Sequence, residues 1–435
     1  MTRRIFLTAG IIIITTIQFF GQSLTNSPYT RFGIGEIDRT GFNKNKAMGG
    51  ITSGLRSPNQ LNFLNPAAIS AQDSMSFIFD VGINGITKNL QSSNDKSSFN
   101  NFAFDHLAIS FPIKKWWFVS AGITPYSKIG YNITQTEHFE FIDTVNMNYN
   151  YYGNGGITQL FLSNAFDIYK GLSLGFNFNY LFGSTEQYNQ AFLDMPDSYS
   201  TVIVDKITMN KVTFDFGIQY YGDINDKYFY VAGLTYSNKI NFNGEKNSAV
   251  LMTENYNLYD INVIDYLAYY ESDFDTISRS VNNNYKVEVP ARYTAGLTAG
   301  IKDKITIGID YVYQDWSEIE TLNIDDNFAT EQTISFGVEY IPEKRSLRNY
   351  LKRINYRAGA FYNNSYLQLH GEQIKNYGIT FGLGFPIANQ KTSLNISGAY
   401  GRKGTTNNGL IEENYLSFGV NLTLYDFWFI KRKFN

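Results

Sequence analysis

The stretch Leu172-Ser173-Leu174-Gly175-Phe176-Asn177-Phe178-Asn179-Tyr180 alternates without a break between large apolar and small polar side chains. A period of two belongs to a β-strand, whose successive side chains point to opposite faces. In a soluble β-sandwich the apolar row would turn inward and the other row would be charged. Here the polar row is Ser173, Gly175, Asn177 and Asn179, a face poorly suited to solubilise a protein but well suited to a crowded wet interior. The apolar row then faces lipid. Only a closed sheet satisfies every backbone group there and leaves no edge in the bilayer.

The same alternation recurs along the chain. Ile305, Ile307, Ile309, Tyr311 and Tyr313 oppose Thr306, Gly308, Asp310 and Gln314, and Leu416, Phe418, Val420, Leu422 and Leu424 oppose Ser417, Gly419, Asn421 and Thr423. Fourteen such segments can be counted: near 75–87, 100–112, 116–130, 153–168, 171–188, 203–222, 228–242, 287–301, 304–316, 329–342, 352–365, 374–387, 391–402 and 413–425. An even count places both ends of the sheet on one side. Connections after 112, 168, 222, 301 and 387 are short, and those after 87, 130, 188, 242 and 316 are long. Bacterial barrels keep short turns in the periplasm and long loops outside. The fold expected is all-β: a 14-stranded transmembrane antiparallel barrel over 75–425, in the outer membrane of a Gram-negative bacterium.

Other marks agree with that register. Trp116, Trp117, Trp316 and Trp428 fall at expected membrane boundaries, where a ring with one polar edge is favoured. Pro112, Pro342 and Pro386 close strands at their inner ends and Pro290 opens one. Lys114, Lys115, Lys302, Lys304, Lys344, Arg345 and Arg348 crowd the short turns, while Asn243 to Lys286 is expected to be a long acidic loop. Within it, Leu251 to Phe274 is Tyr-rich and could present an apolar mouth for ligand capture.

Composition closes several functional classes. Aromatic residues make up 17% of 435 residues and there is no cysteine. That excludes a disulfide scaffold, thiolate metal sites, a cysteine nucleophile and a lipoprotein anchor. Thr2-Arg3-Arg4 followed by an apolar run to Phe20 and then Gly21-Gln22-Ser23 reads as a secretory signal peptide over 1–22. Without it, 34 basic side chains face 39 acidic ones, and nucleic acid is not an expected partner. Only His106, His138 and His370 are present, none spaced with a serine or aspartate as a hydrolase requires. No catalytic residue, cofactor or metal site is expected.

Between Ser23 and Ser74 the alternation stops. A barrel of fourteen strands encloses more space than its own side chains fill, and Gly122, Gly175, Gly217, Gly296, Gly308, Gly337, Gly382 and Gly419 widen it from the inward rows. Residues 23–74 are therefore expected to enter the lumen as a plug, the alternative being a flexible periplasmic extension. Here the chain resembles the FadL/TodX long-chain fatty-acid transporters. The likeness rests on Lys46-Ala47-Met48-Gly49-Gly50, on Asn65-Pro66-Ala67, on Val289 to Tyr293 with Gln314-Asp315-Trp316, and on Gly382 to Pro386. It implies a fourteen-stranded barrel plugged by an N-terminal hatch that contains Asn65, Pro66 and Ala67.

By the same resemblance, the expected function is passage of hydrophobic small molecules such as long-chain fatty acids, with release sideways beside an inward kink in the third strand. Pro125, in Gly122-Ile123-Thr124-Pro125-Tyr126, removes a ladder donor and is the candidate for that lateral opening, the alternative being a place above the bilayer where pairing no longer matters. Strand parity turns Arg292 and Arg357 inward as candidate partners of a ligand carboxylate, although Asp80, Asp215, Asp310 and Glu339 share that parity and could pair with them. Ser417, Gly419, Leu422 and Leu424 resemble the insertion signal read by the barrel assembly machinery, and 426–435 would follow as a periplasmic tail. The alternative function is a non-transporting barrel, a scaffold or subunit of an envelope secretion or assembly complex. Outer-membrane lipid is a partner in either case.

Overall fold

The computed structural model describes residues 25–427 apart from 94, 141–143, 196, 255–274, 320–327 and 388–390. Fourteen antiparallel strands close into one barrel. They are β1 (Ser76–Gln91), β2 (Lys96–Lys114), β3 (Trp117–Glu140), β4 (Thr144–Tyr169), β5 (Leu172–Leu193), β6 (Tyr199–Asp223) and β7 (Tyr228–Ser237 continuing as Ile240–Glu254). The second half comprises β8 (Asp275–Val289 continuing as Arg292–Ile301), β9 (Ile305–Asp315), β10 (Thr330–Tyr340), β11 (Asn355–Leu369), β12 (Glu372–Pro386), β13 (Ser393–Lys403) and β14 (Glu412–Phe427). β14 pairs with β1 from Phe427↔Ser76 to Glu412↔Gln91 and so closes the ring.

The opening stretch sits in β5 as its pattern requires. Leu174, Phe178 and Tyr180 are exposed outward, while Ser173, Asn177 and Asn179 are buried inside. Several strands outrun a membrane, which needs only ~9–11 tilted residues; β4 has 26 and β6 has 25.

Three sequence expectations change. Asn243 to Lys286 is not one long loop, because β7 runs to Glu254 and β8 begins at Asp275, paired from Asp275↔Met252 to Val289↔Ile240. Residues 275–284 are exposed on both faces. A strand wet on both sides has no apolar row to betray it. Pro290 accordingly does not open a strand but interrupts β8 between its two segments. Trp316 is not at the membrane boundary: it is 2% exposed and stacks on Tyr366 at 4.1 Å, in an interior apolar cluster with Ile157, Leu181 and Phe242. Trp116 does lie exposed at the first inner turn. Trp428 and the Leu251–Phe274 stretch beyond Glu254 lie outside the described residues.

Candidate functional site: the lumen and the β2–β3 seam

The inward glycines form a track for the N-terminal segment. Following the chain from Asn43 to Ala67, a methyl group at Gly419 would lie 2.6 Å from Asn43 Oδ1, and one at Gly382 would lie 2.5 Å from Ala47 Cβ. At Gly337 it would lie 2.4 Å from Met48 O, at Gly233 1.9 Å from Ser53 O, at Gly217 2.2 Å from Asn65 Oδ1, and at Gly175 2.5 Å from Ala67 N. The segment thus passes from β14 around the inner wall to β5. The glycines of these inward rows let backbone approach backbone.

Gly49 in Lys46–Gly50 has φ +70° and sits where a side chain would meet Phe336 O at 2.4 Å. Asn65 accepts a hydrogen bond from Ala67 N at 3.2 Å and donates to Ser53 O at 2.7 Å, starting the 3₁₀ turn Pro66–Ala71. Pro66 occupies the first position of that turn, where its missing N–H costs nothing.

Several polar groups of the wall take partners from this segment. Asp310 accepts from the backbone N–H of Thr52 at 2.6 Å and of Ser53 at 2.7 Å. Asp215 takes Arg39 at 3.3 Å and Asn179 at 2.8 Å. Glu339 bridges Lys44 at 3.1 Å and Arg357 at 2.7 Å. Arg357 also donates to Asn395 at 2.9 Å and its side chain is wholly buried, so its donors are consumed by the protein itself.

His106 lies between Asp105 at 2.7 Å and Asp80 at 3.0 Å, with the Phe42 ring stacked on it at 3.7 Å and Lys46 paired to Asp105. With both ring nitrogens held by carboxylates, His106 has none left to activate a nucleophile. His138 and His370 bond to Asn146 and to Asn408 O in the outer region.

Higher in the lumen, Glu36 is held by Lys403 at 3.0 Å and Lys88 at 3.4 Å. Burial raises its carboxyl, but Lys403, Lys88 and Lys128 outweigh that and keep it well below the usual carboxylate range.

The β2–β3 seam is unlike the others. Its ladder runs from Lys114↔Trp117 only to Leu107↔Ile123, while β3 stays paired with β4 to Glu140↔Thr144 with a register shift between Pro125 and Ser127. All six residues from Tyr126 to Tyr131 are buried, where a wall strand would alternate. β3 has turned inward. Its freed edge is taken by the N-terminal segment: Ile37↔Ser127 and Glu36↔Lys128 form a short ladder, Asp38 N donates to Tyr126 O at 3.0 Å, and Ser27 N donates to Gly130 O at 2.7 Å. Gly35, at φ +83°, allows this approach; a side chain there would lie 2.4 Å from Lys128 O.

Beside this seam is a cavity of about 330 Å³ lined by Glu36, Arg39, Lys88, Lys128, Arg292 and Tyr366 among others. The Arg292 guanidinium faces it without an ion pair among the described residues. A second cavity of about 510 Å³ opens at the periplasmic mouth between Lys44, Arg56, Lys302 and Arg353. The two share no lining residue, and the N-terminal segment lies between them.

The sequence alone did not point to Asp105, whose burial beside His106 follows from a register shift between β1 and β2 at Gly82/Ile83. It also gave no sign that Lys44, Lys46 and Arg39 would be the counterions. Arg31, expected in the plug, stacks over Tyr151 at 4.4 Å, and Arg56 donates to Ser173 at 3.2 Å.

A family model described as BamG matches residues 1–435. The chain belongs to the BamG family. No curated protein matches it. Among solved structures it is similar to the Pseudomonas putida toluene transporter TodX, with 13% identity, 91% of this chain and 100% of that chain covered, and a TM-score of 0.60. It is similar also to the Ralstonia pickettii toluene transporter TbuX, with 13% identity, 89% and 98% covered, and a TM-score of 0.59. A Pseudomonas aeruginosa FadL homologue gives 12% identity, 91% and 100% covered, and a TM-score of 0.57. This BamG-family chain therefore has the FadL/TodX fold, and the apolar row that its closed barrel turns outward is that of an outer-membrane barrel.

Proposed function

We propose that the protein passes hydrophobic small molecules through the outer membrane, with residues 23–74 as the hatch and the β2–β3 seam at Pro125 as the lateral exit. The observation that carries this reading is the early end of the β2–β3 ladder at Leu107↔Ile123, beside the cavity that Arg292 faces. Unpaired backbone in hydrocarbon is tolerated only where it borders a cavity or is covered by protein. An apolar chain in the cavity could leave sideways there without crossing the periplasm, and Arg292 would hold an acidic headgroup. Long-chain fatty acids fit that chemistry; Arg357, already saturated, does not contribute. Asn65, Pro66 and Ala67 serve the hatch by fixing its last turn against β5 and β6.

A second reading has its own support. The buried ion pairs that tie the hatch to β2, β6, β10 and β13, together with membership of the BamG family, favour a sealed barrel acting as a subunit of an envelope assembly complex. Flux into proteoliposomes separates the two. Uptake of a labelled fatty acid or of toluene above that of protein-free vesicles supports transport. No flux of either, with companion envelope proteins retained on gentle purification, overturns it in favour of the subunit.

A further inference from the structure

The periplasmic turns are short except between β10 and β11, where residues 341–354 form a small basic hairpin. Glu343 N donates to Lys352 O at 2.8 Å and Ser346 N to Glu343 O at 3.1 Å, so its shape is set by its own hydrogen bonds. Its five bases, Lys344, Arg345, Arg348, Lys352 and Arg353, outnumber its single acid, Glu343, which pairs with Lys352 at 3.1 Å, while Lys344 pairs with Asp303 of the neighbouring turn at 2.6 Å. Ile341 and Ile354 at its base are buried, but two apolar side chains nearer its tip are bare: Leu347 is 93% exposed and Leu351 62%. Arg345 and Arg348 make no ion pair among the described residues, and Arg353 Nε is buried without a hydrogen-bond partner.

Two contacts fix where this hairpin lies. Tyr356, on the lipid-facing row of β11, donates its hydroxyl to Leu351 O at 3.1 Å. Tyr350 donates to Pro386 O at the end of β12, also at 3.1 Å. The base of the hairpin therefore sits at the rim where the wall meets the inner leaflet. Leucines next to arginines and lysines at that depth have the composition of an interfacial anchor, with apolar ends in the acyl boundary and cations at the phosphates. In open periplasm the two leucines would be bare to water, whereas at the rim they have a solvent.

We propose that residues 344–353 form a docking site for anionic phospholipid of the periplasmic leaflet, with Leu347 and Leu351 entering the acyl boundary and Arg345, Arg348 and Lys352 meeting the headgroup phosphate, while Arg353 turns to the mouth of the lumen. The site does not depend on transport. It would hold the barrel in a fixed orientation in its leaflet whether the lumen conducts or is sealed.

The test uses the full chain in nanodiscs. Leu347→Trp should be quenched by brominated phosphatidylglycerol more strongly than by acrylamide, after subtraction of the wild-type signal. Native mass spectrometry should show phosphatidylglycerol retained at least fivefold better than phosphatidylcholine, a preference lost in Arg345→Ala/Arg348→Ala/Lys352→Ala and unaffected by millimolar inorganic phosphate. Unchanged heat-modifiability on gels would show that the triple variant is folded. Acrylamide quenching that exceeds bromolipid quenching overturns the proposal. So does equal retention of the two lipids, or a triple variant that keeps its lipid but loses a copurified protein.

Discussion

Two seams flank the β1–β2 hairpin, and they are built differently. On one side β14 pairs with β1 along the whole of both strands, from the periplasmic Phe427↔Ser76 to the outer Glu412↔Gln91. On the other side β2 and β3 pair only near the periplasm and part at Leu107↔Ile123. Both seams carry the same outward apolar row and face the same lipid. The difference lies in what pairs with the strand edge: at the first seam the neighbouring strand, at the second, on the β3 side, the protein's own N-terminal segment. A barrel can therefore loosen one seam without unravelling, with an internal peptide pairing the strand that turns inward.

The largest effect should follow from breaking the charge cluster at the parting point. Asp105→Ala leaves Lys46 and His106 without their shared carboxylate in a buried site, and a broken buried ion pair costs about 3–5 kcal/mol. Trypsin should then cut the N-terminal segment at Arg39 and Lys44 in folded barrels, while the β14–β1 seam keeps the heat-modified gel shift of the wild type. Gly35→Ala comes next. A side chain forced to φ +83° against Lys128 O should weaken the segment's pairing with β3 by about 1–3 kcal/mol, read as faster proteolysis at Arg31.

Arg292→Ala should leave stability unchanged and weaken binding of a long-chain fatty acid about tenfold, or about 1.4 kcal/mol, while binding of the matching alcohol is unaltered. Equal loss for acid and alcohol would mean that Arg292 shapes the cavity rather than meeting a carboxylate.

The smallest effect concerns pH. Glu36 is held below its ordinary value in the folded protein, so its contribution is fully present above the unfolded glutamate pKa of about 4.3 and is lost as pH falls through the lower folded value. Protease protection of the N-terminal segment should be flat from pH 8 to 5 and decline only in stronger acid.

The sequence shows the wall plainly because lipid enforces its pattern. Leu172 to Tyr180 and Leu416 to Leu424 can be read unaided, and the inward parity of Asp80, Asp215, Asp310 and Glu339 holds in the structure. Where that solvent constraint ends, the reading fails. The extracellular part of β8 alternates nothing, since Ser278 to Asn284 meet water on both faces. Trp316 looks like a boundary tryptophan because the row before it faces lipid, but it lies just past Asp315, where β9 ends, and so it can turn inward onto Tyr366.

The inward glycines can be counted in the sequence, yet their purpose cannot. Gly233 and Gly337 become intelligible only beside Ser53 O and Met48 O. Pro125 marks an irregularity, and only strand pairing tells which neighbour is lost and which is kept. Arg292 and Arg357 look alike by parity, but Glu339 and Asn395 are positioned to absorb only the second.

Disulfide trapping across the two seams is the most direct measurement, since the chain contains no cysteine of its own. Ile83→Cys/Val420→Cys joins positions that are paired across the β14–β1 seam, and Phe104→Cys/Tyr126→Cys occupies positions that would face each other if the β2–β3 ladder continued past Leu107 and Ile123. With a membrane-permeant oxidant, the first pair should cross-link rapidly and the second should stay reduced, because Phe104 and Tyr126 are no longer paired and Phe104 is exposed while Tyr126 is buried; a disulfide needs Cα atoms within about 7 Å. Cross-linking of the second pair as complete as that of the first would mean that β3 remains in the wall and that the seam is closed.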